Sequence, residues 1–315
     1  MHRWSTVTYK SCTTPGSDDD EVWQYLVPKL ALQHDFLLNG LFALAAFEIA
    51  SLRKHDDEHY INAAIEYHTL ALGSFRSQLT ALDSESHEAA LCLSLMLMVF
   101  ALASAQFASK SAGDDGSMVQ RAITVFELLR GCIPVAESKE GYLADNPYIR
   151  KMKRFEDLPR AALDARTEDA LAKMGDLNDR RIMSSVRESD DRRLKQVACW
   201  EACKKALALL RQCFEKCVDR FSHGYVLGWL NMAGEDYIKV IKDGDHAALL
   251  ILVFWGVLAD KLGRQVWWTQ HFGRLLVDEI LEGALGQDTD AATRDIILCA
   301  RELIRESASE PVGVM

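Results

Sequence analysis

The chain has 315 residues, 49% of them hydrophobic and 26% charged, values that exclude bulk disorder and allow a large buried core. A net charge of -10 sets its surface against phosphate backbones, so direct nucleic-acid binding by this chain alone is not expected. Six prolines and few alternating Val/Ile/Thr runs argue against an all-β protein.

In chain order, a turn-rich acidic stretch, Pro15 to Asp20, precedes a first helix over Leu26–Leu52, with Pro28 in its opening turn. Leu37, Leu41, Leu44 and Glu48 share one stripe of that helix. A second helix runs over Asp57–Leu82 with Tyr60, Ala64, Tyr67, Ala71 and Phe75 on its inner face. Asp83 and Ser84 are candidate caps for a third helix. Its segment Ala89–Ala108 is long enough to span a bilayer but reads as a core helix, because Glu88 and Lys110 supply no interfacial belt. After Gly113–Gly116 a fourth helix covers Ser117–Leu129, ended by Gly131 and Pro134.

The stretch 134–191 is charged, as at Arg150–Arg154 and Asp176–Arg181, and reads as a partly mobile insertion. Short helices are expected there at Pro159–Met174 and near Ile182. Then follow Asp191–Phe221, a break at Gly224 and Gly228, Asp236–Lys242, and an Asp243-Gly244-Asp245 turn capping Ala247–Lys261. The last two helices are Gln265–Leu285 and Asp290–Glu306, before a tail over Ser307–Met315. The expected fold class is all-α, a bundle-like or orthogonal single domain over 1–315 enclosing an apolar ligand pocket.

The opening MHRWSTVTYKSC and VWQYLVPKLALQHDFLLNGLFALAAFEIA resemble the start of the ligand-binding domain of fungal sterol uptake control regulators. YINAAIEYHTLALGSFRSQL, HEAALCLSLMLMVFALA and the tryptophan-rich HAALLILVFWGVLADKLGRQVWWTQHFGRLLVDEILEGALG continue the likeness. The resemblance implies an all-α domain around an apolar cavity for a sterol or similar lipid. It also implies that ligand occupancy controls activity and nuclear entry, with a zinc cluster holding DNA. No set of six closely spaced cysteines for such a cluster occurs in this chain, whose opening matches the start of that family's C-terminal half. Asn39 and Glu48 stand where the family has histidines, and Asp35 where it has proline, departures that point away from ordinary sterol sensing.

Cys199, Cys203, Cys213 and Cys217 lie within roughly 40° of one helix direction, so they read as core rather than as a zinc site, whose ligands must converge. His55–His59 reads as a solvated first turn, and Asp18–Glu21 as a loop with no second carboxylate cluster. No metal and no cofactor is expected. The scattered cysteines and the polar first residues suggest a reducing intracellular compartment, cytoplasmic, or nuclear if the protein is a regulator.

No hydrolase elbow, P-loop, dinucleotide fingerprint or HExxH is present. Glu48, on an apolar stripe, and His68 are the candidate catalytic residues, each with a bland alternative as a hydrogen-bonded core group. Asn39, Leu44, Tyr67, Trp229, Asp236, Trp255, Trp267, Trp268 and His271 are candidate pocket residues, and Asp260 is a further polar candidate.

The leading expectation is a cofactor-free cyclisation or cycloaddition of a terpenoid or polyketide in fungal secondary metabolism, possibly with dehydration. The alternative is a ligand-sensing transcriptional regulator without its own DNA-binding domain. A passive lipid carrier or degenerate paralogue stands third. Expected partners are a hydrophobic small molecule and possibly a second copy, although no heptad seam demands dimerisation; no membrane is expected.

Overall fold

The computed structural model describes residues 1–13, 20–53, 57–78, 86–110, 116–137, 159–184, 190–217, 223–285 and 290–309. The described residues form α-helices joined by short 3-10 and π turns, an all-α fold. The expectations on Pro15–Asp19, His55–Asp56, Asp83–Ser84, Gly113–Asp115, Arg150–Arg154 and the last residues of the tail lie outside them. The helices are α1 (His2–Thr6), α2 (Val27–Ala31), α3 (Asp35–Ser51), α4 (Glu58–Gln78), α5 (Ser86–Ser104), α6 (Met118–Glu137) and α7 (Ala165–Ser184). They continue with α8 (Asp190–Cys217), α9 (His223–Ala233), α10 (Glu235–Lys242), α11 (His246–Leu262), α12 (Phe272–Leu285) and α13 (Ala291–Ser309).

The chain divides into two compact units. The first takes in Met1–Gly116, Thr124–Asp157 and Gln265–Gln270; the second takes in Ser117–Ile123, Leu158–Arg264 and His271–Met315.

In the first unit α3 carries apolar residues on every face, as a helix buried on all sides does. On one side lies α4, antiparallel, with Phe36 against Phe75 at 5.5 Å and Phe42 edge-on to Tyr67 at 5.3 Å. On the other lies α5, so close that a Cβ on Gly40 would fall 2.6 Å from Leu93 Cδ1. The segment from Ser86 to Phe107 is long and apolar enough to cross a membrane, yet 78% of its most apolar window is buried within the fold. That agrees with a core helix.

Several predicted boundaries move. The single helix expected over Leu26–Leu52 is a π turn over Val22–Leu26, then α2, then α3, because the backbone turns at residues 32–34 and His34 is extended (φ -133°, ψ 103°). Helix α6 runs past Gly131 and Pro134, which were expected to end it. Gly224 and Gly228 lie inside α9, and the break falls at Gly234, whose φ of +88° is left-handed. The helix expected over Gln265–Leu285 is a 3-10 turn at Trp267–Thr269 followed by α12, with His271 at φ +68° between them.

In the second unit, one continuous helix, α7, replaces the two short ones expected in the charged stretch. It buries Ala170, Leu171 and Met174. Its outer edge carries cations seven residues apart that meet acids of α13 and its capping residue Asp290 in reverse order. Arg166 reaches Glu302 (3.1 Å) and Glu306 (2.8 Å), Lys173 reaches Asp295 (2.6 Å), and Arg180 reaches Asp290 (3.3 Å). The two helices are therefore antiparallel. As expected, the Asp243-Gly244-Asp245 turn caps the next apolar helix: Asp245 Oδ1 accepts from Ala248 N at 3.0 Å and from Arg181 Nη2 at 2.6 Å.

Candidate functional site

Glu48 sits on the buried stripe of α3, 5% exposed. Its Oε2 accepts from Thr8 Oγ1 at 2.5 Å and from Arg3 Nε at 3.1 Å. The stripe explains why a carboxylate there must be buried, and the two donors explain how its charge is compensated. The group is built as an acceptor that ties the first residues to α3. Both donors sit on Oε2.

His68 lies in α4 and stacks on Phe100, centroids 3.6 Å apart and planes 5° apart. Desolvation lowers its pKa to about 4, so the ring is neutral at pH 7. Phe100 continues onto Phe47 at 4.6 Å, and Phe47 onto Phe107 at 5.2 Å, giving an aromatic run through the first unit. Glu48 and His68 have no partner in common among the described residues. Leu44 is buried, Asn39 is half-buried, and Tyr67 is 36% exposed against Phe42.

The tryptophans expected in one pocket fall into two sets. Trp267 and Trp268 belong to the first unit, where Trp267 Nε1 donates to Ser11 Oγ at 2.9 Å and Trp268 Nε1 to Ser11 O at 2.8 Å. Gln106 Nε2 donates to Trp267 O at 2.6 Å. Trp229 and Trp255 are fully buried in the second unit, stacked at 6.2 Å and flanked edge-on by Tyr237 (5.5 Å) and Phe272 (6.1 Å). Their indole N–H groups donate to the carbonyls of Ala206 and Val226. These rings fill a core and have both polar tips satisfied. Asp236 points outward with its side chain 81% exposed, while its neighbour Tyr237 is fully buried, and His271 is exposed. Asp260 is buried and accepts from Ser307 Oγ at 3.1 Å, with Arg274 Nε at 3.7 Å.

Two concavities open on the second unit. One, about 300 Å³, is lined by Val119, Leu249, Leu250 and Ile280 with His246 and Glu279 at its edge. Glu279 there accepts from Ser117 Oγ and Met118 N, each at 2.6 Å, and so caps α6. The other, about 500 Å³, runs between α8 and α10 and includes Asp236 with Lys195, Lys205 and Lys239. No group of His, Cys, Asp or Glu among the described residues is arranged to hold a metal ion. Cys203 and Cys213 are buried thiols; burial pushes Cys203 up to about 12 and raises Cys213 further. The Thr8 and Arg3 donors and the Ser11 anchor were not anticipated. Nothing in the local pattern around Thr8 or Ser11 signals partners 40 or more residues away.

Residues 7–141 match the model of the fungal specific transcription factor domain. The chain is 25% identical over 112 residues to "Sterol uptake control protein 2" of Candida albicans, covering 36% of this chain and 15% of that protein. It is 26% identical over 117 residues to a "Zn(2)-C6 fungal-type transcription factor" of Gibberella zeae, covering 36% of this chain and 24% of that one. The matched stretch thus spans less than a quarter of either relative's length. Over residues 7–141 the chain is thus similar to the fungal specific transcription factor domain.

Proposed function

We propose that this chain is a regulatory domain of fungal transcription control that senses a sterol or a similar hydrophobic metabolite. The observation that carries the reading is the match over residues 7–141, nearly all of which fall within the first compact unit. The name of the Candida albicans relative suggests the ligand class. Under this reading the protein acts in the nucleus through a DNA-bound partner or segment. Catalysis gains no comparable support, because Glu48 is engaged by Thr8 and Arg3 and shares no partner with His68.

The test fuses the full chain to a heterologous DNA-binding module upstream of a reporter, in yeast with sterol synthesis intact or blocked. The reading expects reporter output to change with sterol supply. In parallel, the gene is deleted in its native host. A normal transcript profile with a lost product and an accumulated uncyclised precursor would replace the regulator by a cyclase.

A further inference from the structure

Helix α8 is the longest among the described residues, 28 residues, and one face of it is left to solvent. Leu194, Ala198, Glu201, Lys205 and Ala208 are exposed and Gln212 half-buried, and they follow one another at alternating steps of four and three residues. Leu194 is 68% exposed, a large apolar side chain with no cover in the fold. Burial reveals this seam where the residue pattern alone did not, because its central positions are charged.

The charged centre of the seam is self-complementary. Turned end to end about a point beside Cys203, Glu201 falls opposite Lys205, Ala198 opposite Ala208, and Leu194 opposite Gln212. Neither Glu201 nor Lys205 has an ion-pair or hydrogen-bond partner among the described residues, although they are spaced to pair within the helix. The cavity of about 500 Å³ beside the seam, floored by Ala198, Ala202 and Val240, leaves room for side chains arriving from outside.

We propose that the outer face of α8 is a homotypic interface through which two copies of this chain pair antiparallel. A two-fold axis at Cys203 sets Glu201 against the partner's Lys205 and Lys205 against the partner's Glu201. An isologous contact of this kind repeats each pairing twice. Alanine at the flanking positions lets the two backbones approach closely. A single helix pair lies at the small end of stable interfaces, so the dimer is reversible and concentration-dependent. The inference is independent of which molecule the protein senses.

Sedimentation velocity of the full chain over a range of concentrations decides it. The wild type is expected to move from one to two chain masses as concentration rises. Glu201→Lys and Lys205→Glu, each placing like charges across the axis, are expected to abolish the dimer while circular dichroism stays helical. The double exchange Glu201→Lys/Lys205→Glu restores the pairing in reversed sense and is expected to dimerise again. This rescue also separates lost contact from lost folding. A wild type that stays monomeric, a dimer indifferent to the single reversals, or a double exchange that remains monomeric would overturn the proposal.

Discussion

A Cβ on Gly273 would lie 2.2 Å from the backbone nitrogen of Asp260 and 2.3 Å from the carbonyl oxygen of Gly256. Gly256 is the counterpart on α11, where a Cβ would come within 2.8 Å of Val277. Backbone meets backbone at this crossing of α11 and α12, and neither can retreat without opening the core around Trp255 and Phe272. Gly273→Ala is expected to destabilise the protein by about 3 kcal/mol or more, through overpacking against main chain. Gly283→Ala in the same helix meets nothing within 4 Å and is expected to be neutral or to stabilise by roughly 0.5–1 kcal/mol. Urea denaturation of the two variants checks the contrast.

The Arg3–Glu48 pair makes an opposite prediction for single and double changes. Arg3→Leu leaves a buried carboxylate with Thr8 alone and is expected to cost about 1–2 kcal/mol. Arg3→Leu/Glu48→Leu removes the charge as well and is expected to recover most of that loss, since a buried pair replaced by apolar residues is often neutral. Thermal melts of wild type, single and double variants give the coupling; an additive loss would show that Glu48 does not depend on Arg3.

His68 links stability to pH. Its pKa is lowered to about 4 in the fold against an ordinary 6.5, so the folded state binds the proton less readily than the unfolded chain. Above the ordinary value both states are neutral and pH has no effect through this group. As pH falls from about 6.5 toward 4, the unfolded state protonates first and stability declines. Discounted for the half-exposed ring, the expected loss is on the order of 1 kcal/mol. His68→Phe keeps the stack on Phe100 and should lose less stability than wild type between pH 7 and pH 4.5.

The acids facing the cations of α7 are exposed and Lys173 is half-buried, and pairs of that kind are screened by salt. Lys173→Glu, facing Asp295, is expected to lower the melting temperature at low ionic strength, with much of the difference disappearing in high salt. A drop of the same size in both buffers would mean that Lys173 acts through its aliphatic stem instead.

Much of the helical framework was readable because its signals are local. Asp245 as a cap, the apolar α11 and the inner face of α4 follow from residues a turn or two apart. The break between α2 and α3 was not readable, since Leu32-Gln33-His34 contains neither glycine nor proline and the chain turns there for tertiary reasons. Gly224 and Gly228 misled in the other direction, as α9 tolerates them while Gly234 supplies the left-handed turn. For the candidate site, burial of Glu48 was legible from its stripe. Its neutralisation by Arg3 was not, because the partner lies 45 residues away in the chain. The tryptophans were read as one aromatic group by number alone, yet their indole N–H bonds sort them into two separate cores.

The anchoring of Ser11 by Trp267 and Trp268 spans 256 positions of chain for the first of these bonds. During synthesis the first unit therefore emerges without one of its own parts. Residues 265–270 leave the ribosome only after the bulk of the second unit, and until then Ser11 and Gln106 face water rather than the tryptophans. Completion of the first unit waits on residues 265–270, which follow residues 158–264 in the chain. A truncation drawn at the end of the matched region, near residue 141, would permanently hold the protein at that unfinished stage.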